Sequence, residues 1–176
     1  AGHVADARQL IDFARQQAQV NHLRYDQPIG IETLTKEVTD HIQQYTQLGG
    51  ARPFGVSLLI GGVEDGVPRL FETDPSGTPY EWQAHAIGEN QSTIRDYLEE
   101  HYDPEVDLEG AVELALTALA DNDDSEISPD GVGLGIVDAE TGQFIELTDD
   151  EIADYIEQFD IDTGVDEDEE DDADEE

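Results

Sequence analysis

Apolar residues recur at helical spacing in two long stretches at the start of the chain. The spacing predicts a first helix that Asp6 can cap and that runs to about Arg24, and a second helix over residues 31–47. The first apolar stripe consists of Val4, Ala7, Ile11, Ala14 and Ala18, with Leu10 beside them. The second consists of Leu34, Val38, Ile42 and Tyr45. We therefore expect two adjacent helices that pack as an antiparallel pair on a sheet.

The pattern then changes to one of strands and turns. Residues 56–60 form a near-continuous apolar run bounded by glycines, which is typical of a strand covered on both faces. The link over residues 63–67 contains an Asp-Gly pair, which favours a chain reversal. Residues 74–77 fit a type I turn. With returning strands over 68–73 and 78–87, the sequence predicts a three-stranded antiparallel meander.

The remaining pattern predicts three helices and one hairpin. We expect a helix over residues 89–101, with Ile94, Tyr97 and Leu98 facing inward, and a fourth helix starting at Asp107 or Leu108. The apolar face of the fourth helix consists of Leu108, Ala111, Val112, Ala115, Leu116 and Leu119. Strands over 132–137 and 143–147 flank a predicted turn at 140–142. A capping box, 148–151, opens a last helix whose apolar side consists of Ile152, Tyr155, Ile156 and Phe159.

Helices and strands occur in blocks, which predicts an α+β fold with antiparallel sheets and helix layers. We place one domain over residues 1–159. Residues 160–176 lose the apolar pattern and hold twelve acidic residues and no base. We predict that this segment is an acidic, disordered tail, which either modulates the access of partners or only aids solubility.

Charge is the outlying property of the composition. The chain has 45 acidic and seven basic residues, for a net charge of -38. This balance argues against nucleic acid as a partner, since phosphates are bound by Lys and Arg. Two interpretations compete: an acidic chaperone or polycation binder, and a protein that works in a very salty cytoplasm. We favour the second, because the acids are interleaved with ordinary helix and strand patterns.

Several classes of chemistry have no signal in the sequence. The chain has no cysteine and therefore no disulfide or thiolate metal site. Its five histidines show no metal-ligand spacing, and we expect neither a metal nor a cofactor. No apolar run is long enough to span a membrane and no signal peptide is visible, so we expect a cytoplasmic location without membrane contact.

Several motifs, in their order along the chain, carry a family resemblance. They are Tyr45-Thr46-Gln47-Leu48-Gly49-Gly50, Arg52-Pro53-Phe54-Gly55-Val56, Arg69-Leu70-Phe71, Asp74-Pro75-Ser76-Gly77 and Ala86-Ile87-Gly88, preceded by Ala1-Gly2-His3-Val4-Ala5-Asp6-Ala7-Arg8. Together they resemble the α-type subunits of archaeal proteasomes, and the acidity indicates a halophile. The resemblance covers roughly residues 1–160. Since Ala1 already lies inside a family motif and there is no methionine, we expect the family's N-terminal part to be missing.

The resemblance implies the fold and the site residues. The fold would be the four-layer αββα sandwich of the N-terminal nucleophile hydrolases, incomplete at the N-terminus. Catalytic members use an N-terminal threonine, which Ala1 does not provide, so no catalytic residue is expected. The family places a pocket for regulator tails at Gly2, His3 and Val4; the alternative is that these residues are only core and helix start. The family-motif residues with structural roles would be Asp6, Arg8, Arg52, Pro53, Phe54, Gly55, Asp74, Pro75 and Gly77.

The resemblance also implies the function and the partners. The chain would be a non-catalytic subunit that forms heptameric outer rings with other α subunits. These rings would control access to the catalytic β rings, dock regulatory AAA ATPases and admit unfolded proteins. A catalytic β-type threonine peptidase is one rival reading, and a stand-alone acidic binding module of a halophile is another.

Overall fold

The computed structural model describes residues 1–47, 52–121 and 127–161. The elements in chain order are α1 (Val4–Tyr25), α2 (Ile31–Gln47), β1 (Leu58–Glu64), β2 (Val67–Thr73), β3 (Pro79–Trp82), α3 (Gln91–His101), α4 (Leu108–Ala120), β4 (Gly135–Val137), β5 (Phe144–Glu146) and α5 (Asp149–Gln158). None of these helices is both long enough and apolar enough to cross a membrane. The contacts divide the chain into two units, Ala1–Gln91 with Val137–Phe144, and Ser92–Ile136 with the segment that starts at Ile145.

In the first unit α2 packs on the three-stranded sheet, and α1 packs on α2. The predicted bounds of α2 are confirmed, and its expected face is buried or half-buried. The core of this region consists of Leu10, Val38, Ile42, Phe54 and Val56. The predicted stripe of α1 is wrong at Val4 and Ile11, which are exposed. Helix α1 therefore packs on α2 through a strip of side chains centred on Leu10, and this strip is narrower than the sequence predicts.

The predicted antiparallel meander is confirmed, with the strand order β1-β2-β3. Glu64 pairs with Val67, so the reversal is a two-residue turn in which Asp65 and Gly66 both have positive φ. Strand β1 therefore extends into the expected link, and it starts later than predicted. The expectation that both faces of this strand are covered is wrong, because Leu59 is 39% exposed on the side away from α2.

The second reversal of the sheet is the turn after β2. The carbonyl of Asp74 accepts from the N–H of Gly77 at 3.0 Å, and Asp74 Oδ1 accepts from the N–H groups of Ser76 and Thr78. The predicted turn is confirmed. The strand that follows, β3, is shorter than the predicted 78–87, since its pairing with β2 ends at Trp82.

In the second unit the core lies around α4 and α5. Its buried residues are Val112, Leu116, Ile127, Ile136, Ile152, Ile156 and Ile161. Asp107 caps α4 through the N–H of Gly110, and the capping box of α5 at Thr148 and Glu151 is formed as predicted. Two members of the predicted α4 face, Leu108 and Leu119, are exposed, whereas Ala118 is buried. The α4 face is rotated because its contacts are made with α5 and with the segment at Ile127.

The second strand pair and the tail complete the comparison with the sequence. Strands β4 and β5 are shorter than the predicted 132–137 and 143–147, and Asp138 Oδ1 accepts from the N–H groups of Glu140 and Thr141 in the turn. Ile161 belongs to the core of the second unit. The rest of the predicted tail, 162–176, lies outside the described residues, and the domain bounds stay a prediction.

Candidate functional site

The residues before α1 form an extended start segment, defined here as residues 1–3. The N–H of Ser57 donates to the carbonyl of Ala1 at 2.9 Å, and the N–H of His3 donates to the carbonyl of Gly55 at 2.9 Å. The start segment is thereby fixed by backbone hydrogen bonds to a supporting loop, residues 52–57. Helix α1 begins at the next residue, Val4, so the loop also determines where the helix starts.

Gly2 is required by the closeness of the supporting loop. It has φ +117° and forms an antiparallel bridge with Val56. A Cβ atom at this position would overlap the carbonyl oxygen of Gly55. Both the backbone conformation and the lack of space therefore favour glycine here.

Asp6 joins the supporting loop to α1. The prediction that Asp6 caps the helix is wrong: the N-cap is His3, which makes no side-chain cap bond, and Asp6 lies inside the first turn. Its carboxylate accepts from the N–H of Gly55 at 2.8 Å and from Arg52 Nη2 at 2.6 Å. The Asp6 side chain is 6% exposed, and the long-range hydrogen bonds take it out of the capping role.

The same contacts set the charge state of Asp6. The N–H of Gly55 and then the guanidinium of Arg52 hold the pKa of the carboxyl below its ordinary 3.8. A carboxyl whose pKa is lowered by folding stabilises the fold above the ordinary pKa. This contribution is lost as the pH falls from that value through the lowered one. We define Asp6, Arg52 and Gly55 as the Asp6 clamp, and at neutral pH the carboxyl of Asp6 is charged.

The structure brings some predicted site residues together and separates others. Gly2, His3, Asp6, Arg52 and Gly55 meet at the start of α1. Beside them, Val4 and Pro53 are exposed and Phe54 is buried; Arg8 is exposed on α1. The other motif residues, Asp74, Pro75 and Gly77, form the turn after β2. This turn lies next to α2.

The contact of that turn with α2 was not predicted from the sequence. Gln43 Nε2 donates to the carbonyl of Gly77 at 2.8 Å. A Cβ at Gly77 would lie 2.8 Å from the carbonyl oxygen of Thr39, so the turn sits directly on the helix. Asp74, Pro75 and Gly77 thus support the sheet and helix and do not take part in the candidate site.

His41 is a second residue that the sequence analysis did not single out. Its ring stacks on Phe13 and lies near Tyr45 and Phe54. Phe54 belongs to the supporting loop, so this cluster connects both helices to the site. In the sequence, the apolar and aromatic face of α2 is the only local signal for this cluster.

The described residues contain no group of side chains suited to bind a metal ion. Across residues 1–47, 52–121 and 127–161, no three His, Cys, Asp or Glu side chains converge in a way that could hold a metal ion. His85, one of the five histidines, is paired with Glu72, its Nε2 lying 2.8 Å from Glu72 Oε2.

The site lies in a part of the chain with few acids, which we call the acid-poor region, residues 1–58. It holds six acidic and five basic residues, whereas the whole chain holds 45 and seven. Several of its large apolar side chains are exposed, among them Val4 at 65% and Leu23 at 85%. An open cavity of about 610 Å³ lies beside Leu23, and it is lined by Ala18, Gln19, His22, Leu23, Pro28 and Ile29.

Comparison with known proteins places these features in a family context. A family model described as "Proteasome subunit" matches residues 1–137. The chain is 65% identical over 171 residues to "Proteasome subunit alpha 1" of Haloarcula marismortui, covering 97% of the chain and 66% of that relative. It is 64% identical over 162 residues to "Proteasome subunit alpha" of Natronomonas pharaonis, covering 92% of the chain and 64% of that relative.

A third relative gives the same result. The chain is 64% identical over 161 residues to "Proteasome subunit alpha 1" of Haloferax volcanii, covering 92% of the chain and 64% of that relative. The chain therefore spans just under two thirds of the length of the curated relatives it matches. All three relatives come from halophilic archaea, in line with the acidic composition.

Proposed function

Since the chain belongs to the proteasome subunit family and resembles its haloarchaeal α subunits over most of its length, we propose that it acts as a structural, non-catalytic α-type subunit of a proteasome core particle. In this role it forms heptameric rings with other α subunits in the cytoplasm. The rings cover the catalytic β rings and restrict access to them. Regulatory AAA ATPases dock on the outer face, and unfolded proteins pass through.

The observation that carries the docking proposal is the start of α1. Gly2, His3 and Val4 are exposed, yet the backbone beneath them is held by hydrogen bonds to the supporting loop and by the Asp6 clamp. A preorganised surface loses less conformational entropy when a partner binds. We therefore assign the regulator-tail pocket to these three residues.

The acid-poor region supports the proposal that this chain meets other subunits. Two chains that are both strongly acidic repel each other at a shared surface unless the charge there is reduced. The exposed apolar side chains of α1 and the nearly balanced charge provide such a surface. We propose that this side of the chain contacts neighbouring proteasome subunits.

Assembly in molar KCl tests the structural role. The full-length protein is expressed alone and then with a β subunit, and native mass, negative-stain images and peptidase activity are recorded. We expect rings with sevenfold symmetry from the α chain and a peptidase-active barrel only when β is present. A monomer in both cases would favour the stand-alone acidic module. Peptidase activity of the α chain alone would favour the threonine peptidase.

A matched pair of variants tests the docking site. Val4→Asp places a charge at the candidate pocket, and Val67→Asp places the same charge at an exposed apolar position of β2, outside the acid-poor region. In assembled particles we expect Val4→Asp to weaken binding of the regulatory ATPase by about tenfold or more, as for a central contact residue. Val67→Asp serves as the control and should retain ATPase binding. Equal ATPase binding by both variants would contradict the assignment of the pocket.

A further inference from the structure

Four rings, those of Phe13, His41, Tyr45 and Phe54, form what we call the aromatic box, and His41 lies at its centre. Its ring centroid lies 4.1 Å from that of Phe13 with an interplanar angle of 14°, 5.2 Å from Tyr45 and 5.8 Å from Phe54. Tyr45 and Phe54 are also in contact, with 4.8 Å between their centroids. The box therefore joins α1, α2 and the supporting loop through the His41 ring at its centre.

The box is connected to the start segment through Phe54. This side chain is 5% exposed, and the next residue, Gly55, makes two of the hydrogen bonds that hold the start of α1. The N–H of Gly55 donates to Asp6, and its carbonyl accepts from the N–H of His3. A displacement of Phe54 would move Gly55 and disturb both bonds together.

Burial opposes a positive charge on His41. The loss of hydration lowers the pKa of the imidazole from its ordinary 6.5. Stacking on Phe13 acts in the opposite direction, because a cation is attracted to an aromatic face. A neutral His41 at the centre of the box requires desolvation to outweigh this attraction.

The charged groups around the box do not offset this penalty. On α1, Asp12 next to Phe13 is exposed and paired with Arg15, and Asp6 is paired with Arg52 of the supporting loop. On α2 the neighbouring charged side chains, Lys36, Glu37 and Asp40, are exposed, and Tyr45 is the other titratable member of the box. The neutral form of His41 is therefore the form that fits.

We propose that His41 is a proton-sensitive latch: under mildly acidic conditions its protonation loosens the aromatic box and releases the start segment, residues 1–3, from the supporting loop. Because the open form accepts the proton more readily than the closed form, opening becomes more favourable as the pH falls below the ordinary value for histidine, 6.5. The latch concerns the chain itself and does not depend on any docking partner.

Amide hydrogen exchange of the full chain in molar KCl tests the latch. Exchange at the N–H groups of His3, Gly55 and Ser57 is followed from about pH 7.5 to about pH 5.5 and corrected for the intrinsic pH dependence, while the His41 ring is titrated by NMR. We expect the protection of these three amides to fall by about threefold or more over this range. The fall should begin near the ordinary histidine value and level off where the His41 ring of the closed form titrates.

Two variants separate the latch from ordinary acid sensitivity. His41→Phe keeps an aromatic ring that cannot take up a proton, and we expect its protection to be independent of pH over this range. His101→Phe is the matched control, because His101 also stacks on an aromatic ring, Tyr97 at 4.1 Å, but is exposed on α3. It should behave as the unmodified chain does.

Three results would overturn the proposal. The first is a His41→Phe chain that loses protection as the unmodified chain does, and the second is an unmodified chain whose protection does not change. The third is a His41 ring that titrates above the ordinary histidine value, which would show that stacking outweighs desolvation. This last measurement needs no variant, so it decides the question even if His41→Phe does not fold.

Discussion

The first 58 residues carry six acidic and five basic side chains, whereas residues 59–176 carry 39 acidic and two basic ones. The two regions are built in the same way, since each has amphipathic helices over a small apolar core. They differ in what their surfaces present. Helix α1 exposes Val4, Ile11 and Leu23, whereas α5 exposes five carboxylates within ten residues.

This difference supports the proposal that a partner covers part of the acid-poor region, whereas the acidic surfaces stay exposed to concentrated salt solution. Carboxylates keep a surface hydrated and repel similar surfaces, with a strength that falls as salt screens them. A uniform requirement for solubility in high salt would place acids on α1 as well. Their scarcity on α1, next to exposed apolar side chains, is what we expect of a surface that a partner covers.

Removal of salt is the strongest way to separate the two regions. In the change from molar KCl to about 0.1 M, the Debye length rises from about 3 to about 10 Å and the carboxylates repel each other over longer distances. We expect amide protection in α4 and α5 to be lost first, while α2 remains protected. Simultaneous loss in both regions would show that the charge difference has no bearing on stability.

Truncation of one buried leucine in each region compares the two cores directly. Leu10 and Leu116 are both fully buried. In molar KCl we expect Leu10→Ala and Leu116→Ala each to lower the free energy of unfolding by about 2–5 kcal/mol, measured by denaturant titration. Leu119→Ala, at an exposed position on the same helix as Leu116, is the control and should have a much smaller effect.

Helix capping gives a smaller contrast between the regions. Thr148 Oγ1 accepts from the N–H of Glu151, and the N–H of Thr148 donates back to Glu151 Oε2 at 2.8 Å. We expect Thr148→Ala to lower the free energy of unfolding by about 1 kcal/mol. At the start of α1, His3 makes no cap bond with its side chain, and we expect His3→Ala to change stability by less than about 0.5 kcal/mol. Thermal unfolding of both variants checks this order.

Truncation of the most exposed leucine of α1 should have the smallest effect on stability. Leu23→Ala should change the free energy of unfolding by less than about 0.5 kcal/mol, because the side chain is already largely exposed and makes few contacts that unfolding would break. We expect the same variant to reduce ring or barrel assembly, measured by native mass. Unchanged assembly would remove Leu23 from the contact surface that we assign to the acid-poor region.

Local features of the fold were predictable because their causes are local. The capping box at Thr148, the turn that starts at Asp74 and the hairpin at Asp65 each depend on residues within a few positions of one another. The bounds of α2 follow from a strong periodic pattern. In these cases the residues that make the contacts are also the residues that make the signal.

The candidate site was predictable only in part, because its contacts are long-range. The sequence placed Asp6 at a helix start, where capping is its commonest role, but the Arg52 side chain and the Gly55 N–H reach it across 46 and 49 residues. Whether Val4 and Ile11 are exposed depends on the position of α2, and the periodicity of the α1 sequence does not specify that position. The surroundings of His41 also come from distant residues, because aromatic rings on two other segments pack against it.

The Asp6 clamp has a consequence for the order in which the chain folds. Because Asp6 and Arg52 close a loop of moderate length around two helices, and the entropy of closure rises only slowly with loop length, this region can bring its two helices and the supporting loop together before α2 packs on the sheet. It does so without strong self-repulsion, since its charges nearly cancel. The acidic remainder, which collapses only when counterions screen it, would then condense on a nucleus that already exists, so the salt of the cell would govern the late steps of folding more than the early ones.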